Sequence, residues 1–280
     1  MIAGTSSGRD FKFRPNSRLP LFDLCLGLLG SLVVLFIVAP LVGMVLASSL
    51  SELSGAALDR QVTGSIRLTL GAALVATIVC TLAGVPLAYL LARKEFRGKS
   101  LVLAIIDLPI IIPHSAAGIA LLTLAGRRSF LGAVIPGWGD GLVGTFAGIA
   151  VAMAFVSVPY LVSTARLGFE AVPERLERVA RTLGASPRRA FLTISLPMAW
   201  RSILSGMILM WARGISEFGA VIIIAYYPMT TSVLIFQRFN DYGLPYARSA
   251  AVLLILISIS IFAALRFLGR RRKSEDGPDA

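Results

Sequence analysis

Four ionisable residues stand inside stretches that are otherwise apolar: Asp107, His114, Arg213 and Glu217. A charge in hydrocarbon is costly, so such groups face a cavity or a partner and mark pathways, relays or helix–helix locks. Arg213 and Glu217 lie four residues apart, close enough to pair on one helix face and simply lock packing. With the base before the acid, that order is the weaker one for a helix pair, which leaves room for a partner on another helix. Arg213 is also a fixed positive charge at that depth. His114, the single histidine, follows Pro113 and reads either as a proton-switchable group or as a packed imidazole donating to a backbone carbonyl. Asp107, His114 and Glu217 together would also suit the proton relay of a secondary transporter. On the intramembrane rule all four residues are candidates for a translocation pathway or gate.

Soluble-enzyme chemistry has little to work with. There is no HExxH and no convincing GxSxG arrangement, so no catalytic constellation can be assembled. Cys25 and Cys80 sit in separate apolar runs, form no CxxC or metal spacing, and read as small hydrophobes. Gly98-Lys99-Ser100 is the nearest approach to a phosphate-binding loop. That motif needs a glycine where Arg93 stands, and a preceding strand that is absent. The chain is therefore expected to hold no cofactor and no metal, and any nucleotide must be bound by another polypeptide.

The elements that position these residues follow from composition. Of 280 residues, 56% are hydrophobic and only 15% charged, with a mean hydropathy of +0.80. Ordinary globular domains carry roughly 25% charge, and a soluble core of this length could not hide so much apolar surface. A surface facing membrane lipid removes the difficulty. About 20 apolar residues cross the hydrocarbon core, and six runs qualify: 19–48, 65–92, 100–126, 141–162, 202–225 and 247–267. The second carries Gly84 and Pro86, the third Pro109 and Pro113, all potential breaks. The first is too long for a signal-peptide core and is kept as a helix. Residues 1–18 and 274–280 are polar tails, expected to be disordered, and 65–267 forms the core that follows the first span.

The net charge of +12 invites a nucleic-acid reading. The charges, however, form short clusters between apolar runs rather than a basic-aromatic face, so nucleic acid is excluded as a partner. Such clusters orient membrane proteins, lysine and arginine remaining on the cytoplasmic side. One set of ends carries the N-terminal basic residues, then Arg93, Lys94, Arg97 and Lys99, the seven arginines from Arg166 to Arg201, and Arg266 to Lys273. The opposite set has Arg60, Arg67, Arg127, Arg128, Arg238 and Arg248. Both termini are thus expected in the cytoplasm. Tyr226 to Tyr246 would be an external stretch whose aromatics suit the membrane interface.

The segment from Arg166 to Arg201 is the long cytoplasmic loop, and loops of that size are usually functional or unstructured. Pro173 can start a helix, and Leu176, Val179, Ala180 and Leu183 share one helical face. Gly184 follows where a helix C-cap belongs. Ser186 and Pro187 read as N-cap and first turn of a second helix, Arg188 to Ile194, and Leu196-Pro197 ends the segment just before the fifth span. Local physics allows two readings: an interfacial amphipathic hairpin, or a docking element for a cytoplasmic partner.

The run LERVARTLGASPRRAFLTISLP, Leu176 to Pro197, resembles the EAA loop of permease subunits in ATP-binding-cassette importers. Ala180, Gly184, Ile194, Leu196 and Pro197 fall at matching offsets. Arg178 stands where the family has a glutamate and Val179 where it has an alanine, while Glu177 supplies an acid one residue earlier. GVPLAYLLAR, from Gly84, is similar to the same permeases. DLPIIIPHSAAGIALL, from Asp107, and ARGISEFGA, from Ala212, resemble their molybdate, tungstate and sulfate branch, the PHSAAGIALL stretch leaning to molybdate or tungstate. The likeness spans roughly Ser65 to Leu265. It implies an all-α polytopic membrane protein with the type I importer permease fold. It further implies a homodimer docked on two copies of a separate ATPase that binds ATP and magnesium, and an external binding protein that delivers the oxyanion. Leu176, Glu177, Arg178, Ala180, Leu183 and Gly184 would then couple the chain to that ATPase.

Overall fold

The structure, a computed structural model, describes residues 21–126, 129, 134 and 142–275, with side chains to residue 264. The predicted tail 1–18, residues 276–280, Arg127, Arg128 and Gly141 lie outside the described residues. All described elements are helices, in two compact units, Met1–Ser49 and Leu50–Ala280.

In the first unit, α1 runs over Leu21–Leu46, 26 residues that are almost wholly apolar after Asp23 in the first turn. At 1.5 Å per residue that is about 39 Å, more than the hydrocarbon core requires. This helix lies within the expected span 19–48.

The second unit opens with α2, Leu50–Leu58, and α3, Arg60–Arg93. Asp59 between them caps α3 by accepting a 2.7 Å hydrogen bond from the Gln61 amide. Then come α4, Lys99–Ile111, and α5, His114–Ala125, bent by 112° at their junction. The break falls at Ile112-Pro113, because the residue before a proline is pushed out of helical geometry, and Ile112 takes an extended ψ of 145°. Pro109 stays inside α4 without ending it. After α6, Phe146–Glu170, and the short α7, Glu174–Thr182, the long α8 covers Pro187–Ile215. The chain finishes with α9, Gly219–Ile224, α10, Thr231–Tyr242, and α11, Leu244–Glu275. Among the described residues five helices are long and apolar enough to cross a membrane, six if the bent α4–α5 pair counts as one span.

Several expected boundaries move. The fourth span continues past Val162 to Glu170, its last turn held by an Arg166–Glu170 ion pair of 3.2 Å. The fifth begins at Pro187, not Ser202, and stops at Ile215, so residues 219–224 are a separate helix. Leu196-Pro197 does not end the preceding helix. Residues Phe191–Ser195 instead form a π-turn, with the Leu196 amide bonded to the Phe191 carbonyl, and α8 passes through. The wider turn absorbs the proline's missing amide. The loop expected over 166–201 is thereby reduced to α7 and its two short connections. At the other end, Ser274 and Glu275 belong to α11 rather than to a tail.

Two apolar clusters hold the bundle. One joins Ile66, Ala73 and Ala76 of α3 to Ile149, Met153 and Val156 of α6, with Val221 and Ile224 of α9. The other joins Ala88 and Leu91 to Val162, Ala165 and Phe169, with Ala199 and Ile203 of α8. The alanines in both clusters let helix backbones approach closely where lipid gives little hydrophobic incentive to associate. The predicted external stretch divides: Thr231, Val233 and Leu234 of α10 are buried, while Tyr226, Phe236, Phe239 and Tyr242 stay exposed.

Candidate functional site

Three polar groupings stand out, one at each end of the bundle and one inside it. At the arginine-rich end, α7 finishes on a Schellman arrangement. The Ala185 amide donates to the Ala180 carbonyl and the Gly184 amide to the Arg181 carbonyl, each at 3.0 Å, with Gly184 at φ +91°. That left-handed position is open to glycine at no steric cost. The Ser186 hydroxyl accepts from the Arg189 amide and Pro187 occupies the first turn, as expected for the start of a helix.

The two faces of α7 differ in character. No residue of α7 is fully buried. Leu176, Glu177 and Ala180 face the bundle and are half-buried. Outward lie Arg178, Arg181, Val179 at 57% exposure and Leu183 at 84%. The predicted apolar face is real, but half of it looks away from the protein. This leaves a short apolar ridge exposed among arginines.

Glu177 is the hub of the inward face. Its carboxylate accepts from Arg93 Nε at 2.7 Å, Tyr89 Oη at 2.8 Å and Ser195 Oγ at 2.6 Å. Arg93 Nη2 donates to the Val172 carbonyl at 2.9 Å. Burial pushes the Glu177 carboxyl up, but the hydrogen bonds from Ser195, Tyr89 and Arg93, with the Arg93 charge, outweigh it and hold the pKa below the usual value. Sequence reasoning missed Tyr89, Arg93 and Ser195 in this role; Arg93 was legible only as an orienting charge.

Inside the bundle, His114, Arg213 and Glu217 converge. Arg213 Nη2 lies 3.0 Å from Glu217 Oε2, and His114 Nδ1 lies 3.3 Å from the same oxygen. Arg213 Nη2 also sits 3.0 and 2.9 Å from the two ring nitrogens of His114, a position over the imidazole rather than along one lone pair. Glu217 Oε1 accepts from the Ala220 amide at 2.9 Å and so caps α9. Its Oε2 is within ion-pair distance of both neighbours yet has no well-aligned hydrogen bond. The Glu217 side chain is fully enclosed, that of Arg213 19% exposed and that of His114 36%.

Both readings of the Arg213–Glu217 pair thus hold in part. The two residues pair four positions apart, though Glu217 lies beyond the end of α8, and the second partner comes from α5. The α5–α9 crossing is tight, since a Cβ on Gly219 would come within 2.8 Å of His114 Cβ and one on Gly118 within 3.0 Å of the Ala220 backbone. Asp107 is not brought to this group. Its Oδ1 takes a 3.4 Å contact from Ser163 Oγ of α6.

At the opposite end two arginines are matched by acids. Arg238 pairs with Asp59 at 2.5 Å and Arg248 with Glu52 at 3.3 Å. The Arg238 hydrogen bond holds the Asp59 carboxyl below its usual range against a small burial cost, helped by the Gln61 amide. This pairing sharpens the charge asymmetry between the two ends.

A protein family described as binding-protein-dependent transport system inner membrane component matches residues 84–274. A molybdate/tungstate transport system permease protein of Thermococcus kodakarensis is 46% identical over 248 residues, covering 88% of this chain and 95% of that protein. A sulfate transport system permease protein of Salmonella typhimurium is 33% identical over 262 residues, 90% of this chain and 94% of that one. In three dimensions, a bacterial ABC transporter involved in the import of alginate aligns at a TM-score of 0.69 and 16% identity, over 89% of this chain and 96% of that one. With the helical bundle, the exposed ridge beside Gly184 and a family match over most of its length, the chain belongs to the inner membrane components of binding-protein-dependent transport systems.

Proposed function

We propose that the chain is the membrane-spanning permease of an ATP-driven importer that carries molybdate and tungstate across the cytoplasmic membrane. The observation that carries this reading is the 46% identity to a molybdate/tungstate permease over 95% of that protein. As an inner membrane component of such a system it is not itself catalytic. Two copies of this chain would assemble on two copies of a cytoplasmic ATPase, which binds ATP and magnesium, while an external binding protein presents the anion. The arginine-rich end, with α7 displaying Val179, Leu183, Arg178 and Arg181, is the surface offered to the ATPase. ATP binding then favours one orientation of the bundle over the other through that contact, which is how a ligand shifts a conformational equilibrium. Arg213 and His114 line or gate the path inside the bundle, with Glu217 offsetting the arginine charge so that cargo is released rather than held.

Molybdate and tungstate are nearly isosteric tetrahedral dianions, so choice between them rests with the external binding protein. A sulfate reading draws on the 33% identical permease, at lower identity over similar coverage. The test is uptake into proteoliposomes holding this chain and its ATPase, with the binding protein added. Molybdate and tungstate should accumulate only when ATP is present, and excess sulfate should compete poorly. Uptake that proceeds without ATP would favour a proton-coupled carrier and overturn the reading.

A further inference from the structure

We infer that Glu177, Arg93, Tyr89 and Ser195 form a strap that fastens α7 to α3 and α8, so that a push on α7 is delivered to both helices. The inference rests on the docking role of α7 proposed above. It changes the part played by Glu177, which becomes a positioning residue inside the permease rather than a contact on the ATPase.

The argument begins with what α7 lacks. It has nine residues and buries none of them completely. A helix that short is marginal on its own, and most helices are held by an apolar face. Here the apolar ridge of Val179 and Leu183 faces outward, so the seat of α7 on the bundle depends heavily on polar contacts. Glu177 provides them, receiving three short hydrogen bonds of 2.6 to 2.8 Å from three side chains on two other elements. Arg93 adds a bond to the Val172 carbonyl in the turn that leads into α7. The ion pair is shielded, with side-chain exposures of 8% for Arg93 and 13% for Glu177.

The donors are themselves well seated. Tyr89 and Arg93 are one turn apart near the end of α3. The Tyr89 ring packs edge-on against Phe169 at 5.3 Å and against Phe191 at 4.7 Å, which fixes where its hydroxyl points. Ser195 is fully buried at the close of the π-turn. That turn is the irregular point of α8, and single π-turns recur where a helix does mechanical or chemical work. The strap therefore runs from the partner-facing helix to the end of one span and to the irregular turn of another.

The test uses the whole complex of permease, ATPase and binding protein, and reads anion imported per ATP hydrolysed. Wild-type protein sets the reference; ATP hydrolysis without import in wild type would refute the proposed function itself and is distinguishable from failure of the strap. Glu177→Ala should still co-purify with the ATPase but lower the ratio at least about fivefold, the low end of ordinary coupling between sites. Tyr89→Phe keeps the ring and removes only the hydroxyl, and should lower the ratio about twofold, in keeping with one hydrogen bond. Ratios equal to wild type in both variants would overturn the inference. So would loss of the ATPase from Glu177→Ala with Tyr89→Phe unchanged, since Glu177 would then be a docking contact.

Discussion

Two glutamates in this chain, Glu177 half-buried and Glu217 buried, each face an arginine and have opposite degrees of satisfaction. Glu177 has an arginine and two hydroxyls, all donating to it within 2.8 Å. Glu217 has an arginine and a histidine at 3.0 and 3.3 Å, and one of its oxygens lacks a well-aligned bond. A fully satisfied polar network rigidifies its surroundings, whereas a partly satisfied one is costly and open to rearrangement. The difference suits two duties. On the proposed function, the cluster at the arginine-rich end would transmit motion without yielding, and the one inside the bundle would change partners as an anion passes.

The comparison is broken most forcefully at the inner cluster. Removing one member of a buried pair costs about 3–5 kcal/mol when both charges are enclosed, and somewhat less here because Arg213 keeps 19% exposure. Arg213→Gln and Glu217→Gln should each lower thermal stability clearly, and the double variant should recover part of the loss. If these residues line the path, uptake in both single variants falls at least about tenfold, a barrier change near 1.4 kcal/mol. Normal uptake at matched expression in both would confine them to packing and leave the bundle's anion path elsewhere.

A smaller effect concerns pH at the opposite end. Asp59 has its pKa lowered from 3.8, chiefly by Arg238. A depressed carboxyl contributes stability that is complete above its unfolded value and is lost as pH falls through the folded one. The stability gap between wild type and Asp59→Asn should therefore stay constant from pH 7 to pH 5, and begin to close only below 3.8. The absence of a gap at pH 7 would show that the Arg238 pair is not formed. Glu177 obeys the same sign, its contribution complete above 4.5 and lost only at lower pH.

What the sequence made legible follows the range of the forces involved. The first span and the short helix ending at Gly184 rest on local patterns: an unbroken apolar run, a periodic face, a left-handed glycine and a Ser-Pro start. All of these survive in the structure. The π-turn was not legible, because Leu196-Pro197 reads as a stop unless a wider turn takes up the missing amide. Nor was the end of α8 at Ile215, since no proline marks it; the signal was Glu217 placed three residues before the Ala220 amide that it caps. The partners of Glu177 are 84, 88 and 18 residues away in sequence, and nothing in one sequence links them. The same limit separated Asp107 from the cluster to which the sequence had assigned it.

The central claim is that α7 is where this permease is driven, and Gly184→Pro tests it most directly. Proline cannot adopt the φ of +91° found there, and it removes the amide that closes the turn on the Arg181 carbonyl. The variant should insert in the membrane at wild-type levels and lose ATP-driven anion uptake. Uptake at the wild-type rate, with expression matched, would contradict the account.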